Sequence, residues 1–164
     1  MRMLLLVDVD KCTGCKQCSL ACSLTKEGLF DPHRSRIKIY KREDIAIGLQ
    51  LLCEQCEPHP CVEACPEGAL SRDNDTGIIH VDEELCTGCG LCADACPYHG
   101  IQFHPETGIA MICDLCGGQP YCVEHCVPGA LEWVEYSDEM LEKKKQLRSK
   151  RMALYKEVGK EVAV

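Results

Sequence analysis

Sixteen of the 164 residues are cysteine, and they divide into four groups of four with none left over. The first group, Cys12, Cys15, Cys18 and Cys22, is spaced C-x2-C-x2-C-x3-C. The third, Cys86, Cys89, Cys92 and Cys96, repeats that spacing and is followed by Pro97. The second, Cys53, Cys56, Cys61 and Cys65, opens its middle gap to four residues and is followed by Pro66. The fourth, Cys113, Cys116, Cys122 and Cys126, opens the same gap to five. Three thiolates two residues apart wrap a tight loop around a cubane of iron and sulfide, and a fourth, on the segment that follows, points away to a neighbouring cubane. A proline after it sets the chain direction without offering an amide donor. The repetition points to four [4Fe–4S] clusters held by sixteen thiolates.

Other uses of thiols fit less well. A disulfide framework accommodates an even cysteine count but belongs to oxidising compartments. The apolar run Met3–Val7 is cut by Asp8 after five residues, which is short for a secretory leader, and there is no twin-arginine signal. The chain is therefore expected in the cytoplasm, where thiols stay reduced. Zinc sites join two separated C-x2-C pairs rather than building complete quartets, so a zinc-holding structural adaptor is the alternative from another class. No C-x2-C pair is followed by His, as haem attachment requires.

The elements that position these groups must be short. Met3–Val9 and residues 77–82 are mostly apolar and end just before Cys12 and Cys86, and both read as strands. Apolar segments follow the second, third and fourth groups at residues 69–70, 100–103 and 130–134, and Arg36–Lys41 alternates like a half-exposed strand. Residues 73–77 and 105–108 carry the residue types of hairpin tips. Gly14, Gly88 and Gly90 can bring backbone N–H groups close to sulfur, where hydrogen bonds help to set reduction potential. The expected fold class is α+β, a repeat of strand, cluster loop, short helix and strand. With two Phe and one Trp, a conventional core is small and metal must supply stability. Thirty residues separate Cys22 from Cys53 and twenty separate Cys65 from Cys86. Those spacings leave both consecutive and nested pairing of the groups open.

Charge narrows the function. Eighteen Lys and Arg against 26 Asp and Glu leave a net charge of −8, which argues against nucleic-acid binding. No run of 18 apolar residues exists, so no membrane span is expected. An oxidised cluster with four thiolates carries about −2, so the loaded protein approaches about −16, and low potentials are expected. The balance is uneven: residues 1–136 hold 10 basic and 21 acidic side chains, residues 137–164 hold eight basic and five acidic. Ser137 is a candidate N-cap for a helix running to about Val158, made strongly basic by Lys143, Lys144, Lys145, Arg148, Lys150 and Arg151. Leu141, Leu147, Leu154 and Val158 form no single stripe. The helix reads either as a solvated terminus or as a docking arm, onto a catalytic subunit or onto the acidic body of another copy. Glu54 and Asp114 are expected to face solvent or a partner. His59 and His125 are candidates for hydrogen bonding near a cluster, and the other histidines for surface or turn positions. Tyr40, Tyr98, Tyr121 and Trp133 are expected to pack around clusters. No nucleophile–base pair, phosphate loop or nucleotide fingerprint appears, so no catalytic residue is assigned.

Over roughly residues 3–136 the layout resembles the four-cluster, ferredoxin-like electron-transfer subunits of molybdenum and tungsten oxidoreductases, the B subunits of the dimethyl sulfoxide reductase family among them. Lys11-Cys12-Thr13-Gly14-Cys15 through Cys22-Ser23-Leu24, Ser35-Arg36-Ile37, and Cys113-Asp114-Leu115-Cys116-Gly117-Gly118 are most similar to the iron–sulfur subunit that accompanies tungsten aldehyde ferredoxin oxidoreductases. Two positions depart from the motif: Ser23 follows Cys22, and Val127 separates Cys126 from Pro128. The resemblance implies nested pairing, with an outer dicluster module of residues 1–52 and 97–136, an inner one of residues 53–96, and a helical tail of residues 137–164. It implies four ligand sets: Cys12, Cys15, Cys18 with Cys126; Cys113, Cys116, Cys122 with Cys22; Cys53, Cys56, Cys61 with Cys96; and Cys86, Cys89, Cys92 with Cys65. It also implies a relay between a tungsten- or molybdenum-pterin catalytic subunit of aldehyde oxidoreductase type and a flavin/NAD-linked or ferredoxin-linked redox partner. A relay serving carbon monoxide dehydrogenase or hydrogenase is the alternative.

Overall fold

The computed structural model describes residues 3–42 and 47–158; Met1, Arg2 and the last six residues of the expected tail lie outside the described residues. Within them, four two-stranded antiparallel sheets form. The strands are β1 (Met3–Val7), β2 (Lys38–Arg42), β3 (Ile47–Leu51), β4 (Leu70–Arg72), β5 (Ile79–Val81), β6 (Ile101–Phe103), β7 (Ala110–Ile112) and β8 (Leu131–Glu135). The helices are α1 (Gln17–Glu27), α2 (Pro60–Glu63), α3 (Leu91–Asp94), α4 (Tyr121–Glu124) and α5 (Asp138–Val158). The chain is α+β.

β1 pairs with β8 at the far end of the chain, Leu5 opposite Trp133 and Val7 opposite Leu131. Leu4 to Val7 are all buried, because Leu5 and Val7 enter a core with Cys18, Cys22 and Cys122 while α5 packs against the same strand. Cover on both sides explains an apolar run in place of alternation. α1 and α4 pack together, so the first and fourth cysteine groups share that core. α1 runs 11 residues, longer than the short helix expected, and carries Cys18 and Cys22. Ser23 lies inside α1, fully buried, its hydroxyl donating to Leu20 O and accepting from Asp31 N. Proline there would clash within the helix, which accounts for the departure from the motif.

β4–β5 and β6–β7 are hairpins of one design. Asp73 Oδ1 accepts from the amides of Asp75 and Thr76, and in the second tip His104 Nδ1 accepts from Glu106 and Thr107. Gly77 and Gly108 close the tips at φ 75° and 71°. Leu70, Ile79, Ile101, Ala110 and Ile112 form a second core with Cys61 and Cys92. The β6–β7 hairpin thus packs with the second and third cysteine groups, although its sequence position lies past the expected boundary at residue 97.

α5 docks one face on the body of its own chain. Ser137 Oγ caps it by accepting from Met140 N. Met152, Leu154 and Tyr155 pack on Val9, Leu49 and Leu51, and Arg151 and Val158 are buried. Its cations meet the acidic body: Lys150 pairs with Asp10, Lys143 with Glu132, and Arg151 with Glu54. Opposite charges on tail and body thus meet within one chain.

Candidate metal centres

All sixteen thiols are free. Cys12 leaves the short turn Val9–Lys11, and the Gly14 amide points at its sulfur, 3.4 Å away. Burial pushes Cys18 up to about 12, with Cys12, Cys126 and Cys15 close enough to add to the shift. Cys12 is likewise raised by burial, then by Cys15 and Cys126. Cys12, Cys15, Cys18 and Cys126 thus lie near enough for their charges to interact. Gly48 of β3 seats this loop: a Cβ there would stand 2.5 Å from Gly14 N and 2.7 Å from Cys12 Sγ.

Burial pushes Cys113 up to about 12, and Cys22 and Cys116 raise it further. Cys122 is raised by burial, then by Cys113, Cys22, Cys18 and Cys116. Cys22, Cys113, Cys116 and Cys122 thus act on one another's ionisation. Asp114 is half-buried rather than solvated and pairs with Lys26 at 2.5 Å. In the second group, burial pushes Cys61 up to about 11, with Cys56 and Cys96 adding, and Cys96 also raises Cys56. Amides again point at sulfur: Gln55 N at Cys53, Gly100 N at Cys96 and Ala110 N at Cys86, each 3.4–3.5 Å away. Cys86, Cys89, Cys92 and Cys65 line one small cavity with Gly88 and Gly90.

Sixteen soft donors, all but Cys15 and Cys89 partly or wholly buried and several met by backbone N–H groups, fit cubane iron–sulfur clusters. Ligation requires thiolates, so metal loading releases protons and couples to folding. Cysteines of different groups also lie near one another. Cys18 lies near Cys122, Cys53 near Cys113, and Cys53, Cys61, Cys65, Cys86, Cys92 and Cys96 share one core. Cys15 and Cys89 are exposed.

Several residues at the centres were not legible as such in the sequence. Gln55, at φ 49°, sends its amide to the carbonyl of Cys113 and accepts from Ile79 N at 2.9 Å, joining the second and fourth groups. Glu54 does not face solvent or a partner: it is 4% exposed and lies between Arg151 and Lys144. Burial, and after it the like charge of Arg148, pushes Lys144 down to about 8, opposed by Cys53, Cys113 and Cys56, and burial pushes Arg151 down to about 10. Only the docking of α5 brings these together, so no local pattern announces them. His59 and His125 meet backbone carbonyls, those of Cys56 and Tyr121, rather than sulfur. Trp133 packs on the first core and Tyr40 on the third, while Tyr98 lies under Arg148 and Tyr121 is 40% exposed.

Comparison with known proteins agrees with this geometry. Residues 47–136 match the model of a 4Fe-4S dicluster domain, and residues 9–26 that of a 4Fe-4S binding domain. The polyferredoxin-like subunit of aliphatic sulfonate oxidoreductase from Pyrococcus furiosus is 45% identical over 125 residues, 76% of this chain and 72% of that one. The B subunit of the anaerobic dimethyl sulfoxide reductase of Escherichia coli is 36% identical over 147 residues, 77% of this chain and 70% of that one. Among solved structures, the active-site complex BamBC of benzoyl coenzyme A reductase with benzoyl-CoA contains a chain that aligns with a TM-score of 0.50 at 28% identity, covering 90% of this chain and 89% of that one. No helix among the described residues is long and apolar enough to cross a membrane. Its cofactors are four [4Fe–4S] clusters, it is a non-catalytic subunit of a multi-subunit oxidoreductase, and it belongs to the 4Fe-4S dicluster family of electron-transfer subunits that includes the dimethyl sulfoxide reductase B subunits.

Proposed function

We propose that this subunit relays electrons between a tungsten- or molybdenum-pterin catalytic subunit of aldehyde-oxidising type and a flavin/NAD-linked or ferredoxin-linked partner, in the cytoplasm. The observation that supports the relay is the nearness of cysteines from different groups, Cys18 to Cys122, Cys53 to Cys113 and six cysteines of the second and third groups in one core, with Cys15 and Cys89 exposed. Similarity to the first, middle and Cys113–Gly118 phrases of the tungsten-linked iron–sulfur subunits supports the partner class. When bound, the clusters supply one-electron carriers; the chain fixes their spacing and tunes them by amides, burial and charge.

The ligand sets we propose are Cys12, Cys15, Cys18 with Cys126; Cys113, Cys116, Cys122 with Cys22; Cys53, Cys56, Cys61 with Cys96; and Cys86, Cys89, Cys92 with Cys65. Their mutual effects on ionisation and shared cores support the crossing. The nested two-module division rests on the β1–β8 pairing, and we assign the β6–β7 hairpin to the inner module because it packs there.

Anaerobic purification of the native complex tests the whole reading. About sixteen irons per chain, broad absorbance near about 400 nm, and a pterin-metal subunit in the same complex are the expected results. Zinc in place of iron would defeat the relay, and a nickel or iron-only catalytic partner would redirect it to carbon monoxide dehydrogenase or hydrogenase. Cys126→Ala should damage the cluster of the N-terminal loop rather than that of Cys113, Cys116 and Cys122; the opposite result refutes the crossing.

A further inference from the structure

The sharpest electrostatic anomaly lies where α5 crosses the turn between Cys53 and Cys56. Glu54 is buried there, and its carboxylate is taken by Arg151. Lys144 comes to the same place: its Nζ donates to the Glu54 carbonyl at 3.0 Å and stands 3.6 Å from the carboxylate, with 13% of its side chain exposed. One carboxylate therefore meets two cations. A third, Arg148, lies over the Tyr98 ring at 4.5 Å and acts on Cys56. A cavity of ≈ 260 Å³ between helix and turn is lined by Glu54, Gln55, Cys56, Lys144, Lys145 and Arg148. Lys145 pairs with Glu142, and Glu57, also in the lining, pairs with Arg72.

Surplus positive charge withdrawn from water is costly unless negative charge offsets it. Besides Glu54 and the like charge of Arg148, the groups acting on Lys144 are the sulfurs of Cys53, Cys113 and Cys56, which belong to two adjoining predicted thiol sets and are negative as ligands of a cluster. A cluster in either set is negative, and an added electron makes it more so. A cation fixed in a poorly solvated position stabilises the reduced form over the oxidised one.

We propose that Lys144, with Arg148 in support, sets the potentials of the two middle clusters, holding them above the values that the acidic body would otherwise impose. This rests on the four-cluster relay reading. Lys144 touches no predicted ligand and is a tuning residue, its effect carried by charge. The C-terminal helix thereby becomes a working part of the relay, and its docking places the charge at the step between inner and outer modules.

An EPR-monitored redox titration of anaerobically purified, fully loaded protein tests this, with iron quantified in every sample. Lys144→Met should lower the reduced-to-oxidised ratio about tenfold at fixed poise, ~59 mV for a one-electron couple, in one or two of four couples. The remaining couples, those of the end clusters, should stay within about twofold of the parent. Lys144→Arg, which keeps the charge, should restore the parent values. If Lys144→Met does not load, Arg148→Gln should shift the same couples in the same direction by a smaller factor. Four loaded clusters with unmoved potentials would overturn the proposal, as would Lys144→Arg shifting them as far as Lys144→Met. A parent protein that does not hold four clusters would instead refute the relay reading itself.

Discussion

Arg151→Met tests whether α5 is held to the body by a buried charge pair. Arg151 is 1% exposed in its side chain and Glu54 3%, so neither is screened by water. Removing one member of a buried pair usually costs about 3–5 kcal/mol, because the other is left desolvated. Lys144 remains 3.6 Å from the Glu54 carboxylate and takes up part of that penalty, which places the effect near the lower bound, about 3 kcal/mol. The loss falls on helix docking, since Arg151 lies on α5 and Glu54 in the loop before α2. Hydrogen exchange over residues 138–158 in the loaded protein reads that quantity. If helix amides exchange through undocking, their protection should fall by about two orders of magnitude, at about 1.4 kcal/mol per decade. A Glu54→Met, Arg151→Met double variant, apolar on both sides, should recover most of the loss. Unchanged protection in the single variant would refute the reasoning, for it would mean that the pair contributes nothing to docking.

Three further outcomes follow from other contacts. Gly48→Ala would place a methyl group against Gly14 N and Cys12 Sγ, so it should cost the N-terminal loop its cluster, read as iron falling from about sixteen to about twelve per chain. Gln55→Glu turns an amide that donates to the Cys113 carbonyl into a second acceptor, leaving that carbonyl unmatched; a loss of about 1–3 kcal/mol in denaturant unfolding is expected, with the Ile79 N–H bond kept. Glu132 is held below the usual carboxylate value, first by its hydrogen bond from Lys11 and then by Lys143, despite some burial. Its folded value being depressed, its contribution is present above the unfolded value and is lost as pH falls through the folded one. A Glu132→Gln variant should therefore be less stable than the parent at neutral pH and converge on it in acid, seen by thermal melts across pH.

Much of the site was legible in the sequence because cluster ligation is local for three of every four thiols. Cys12, Cys15 and Cys18 must lie on one loop whatever the rest of the chain does, and the same holds for Cys86, Cys89 and Cys92. Hairpin tips were equally readable, since Asp73 and Gly77 close their turn by contacts within five residues. β3 and β7 were not anticipated: each is a short apolar stretch whose strand character comes from a partner across a hairpin.

The spacing of sixteen cysteines by itself determined the chemistry, four iron–sulfur clusters, because thiolate count and loop geometry are properties of adjacent residues. Which distant segments meet was decided only by tertiary structure. The β1–β8 pairing brings Cys126 to the N-terminal loop, the core draws the β6–β7 hairpin inward, and the docking of α5 turns a basic tail into a buried charge beside Cys53, Cys56 and Cys113. Charge composition shows that tail and body attract, but only packing and desolvation select which lysine and arginine are buried, and against which sulfur.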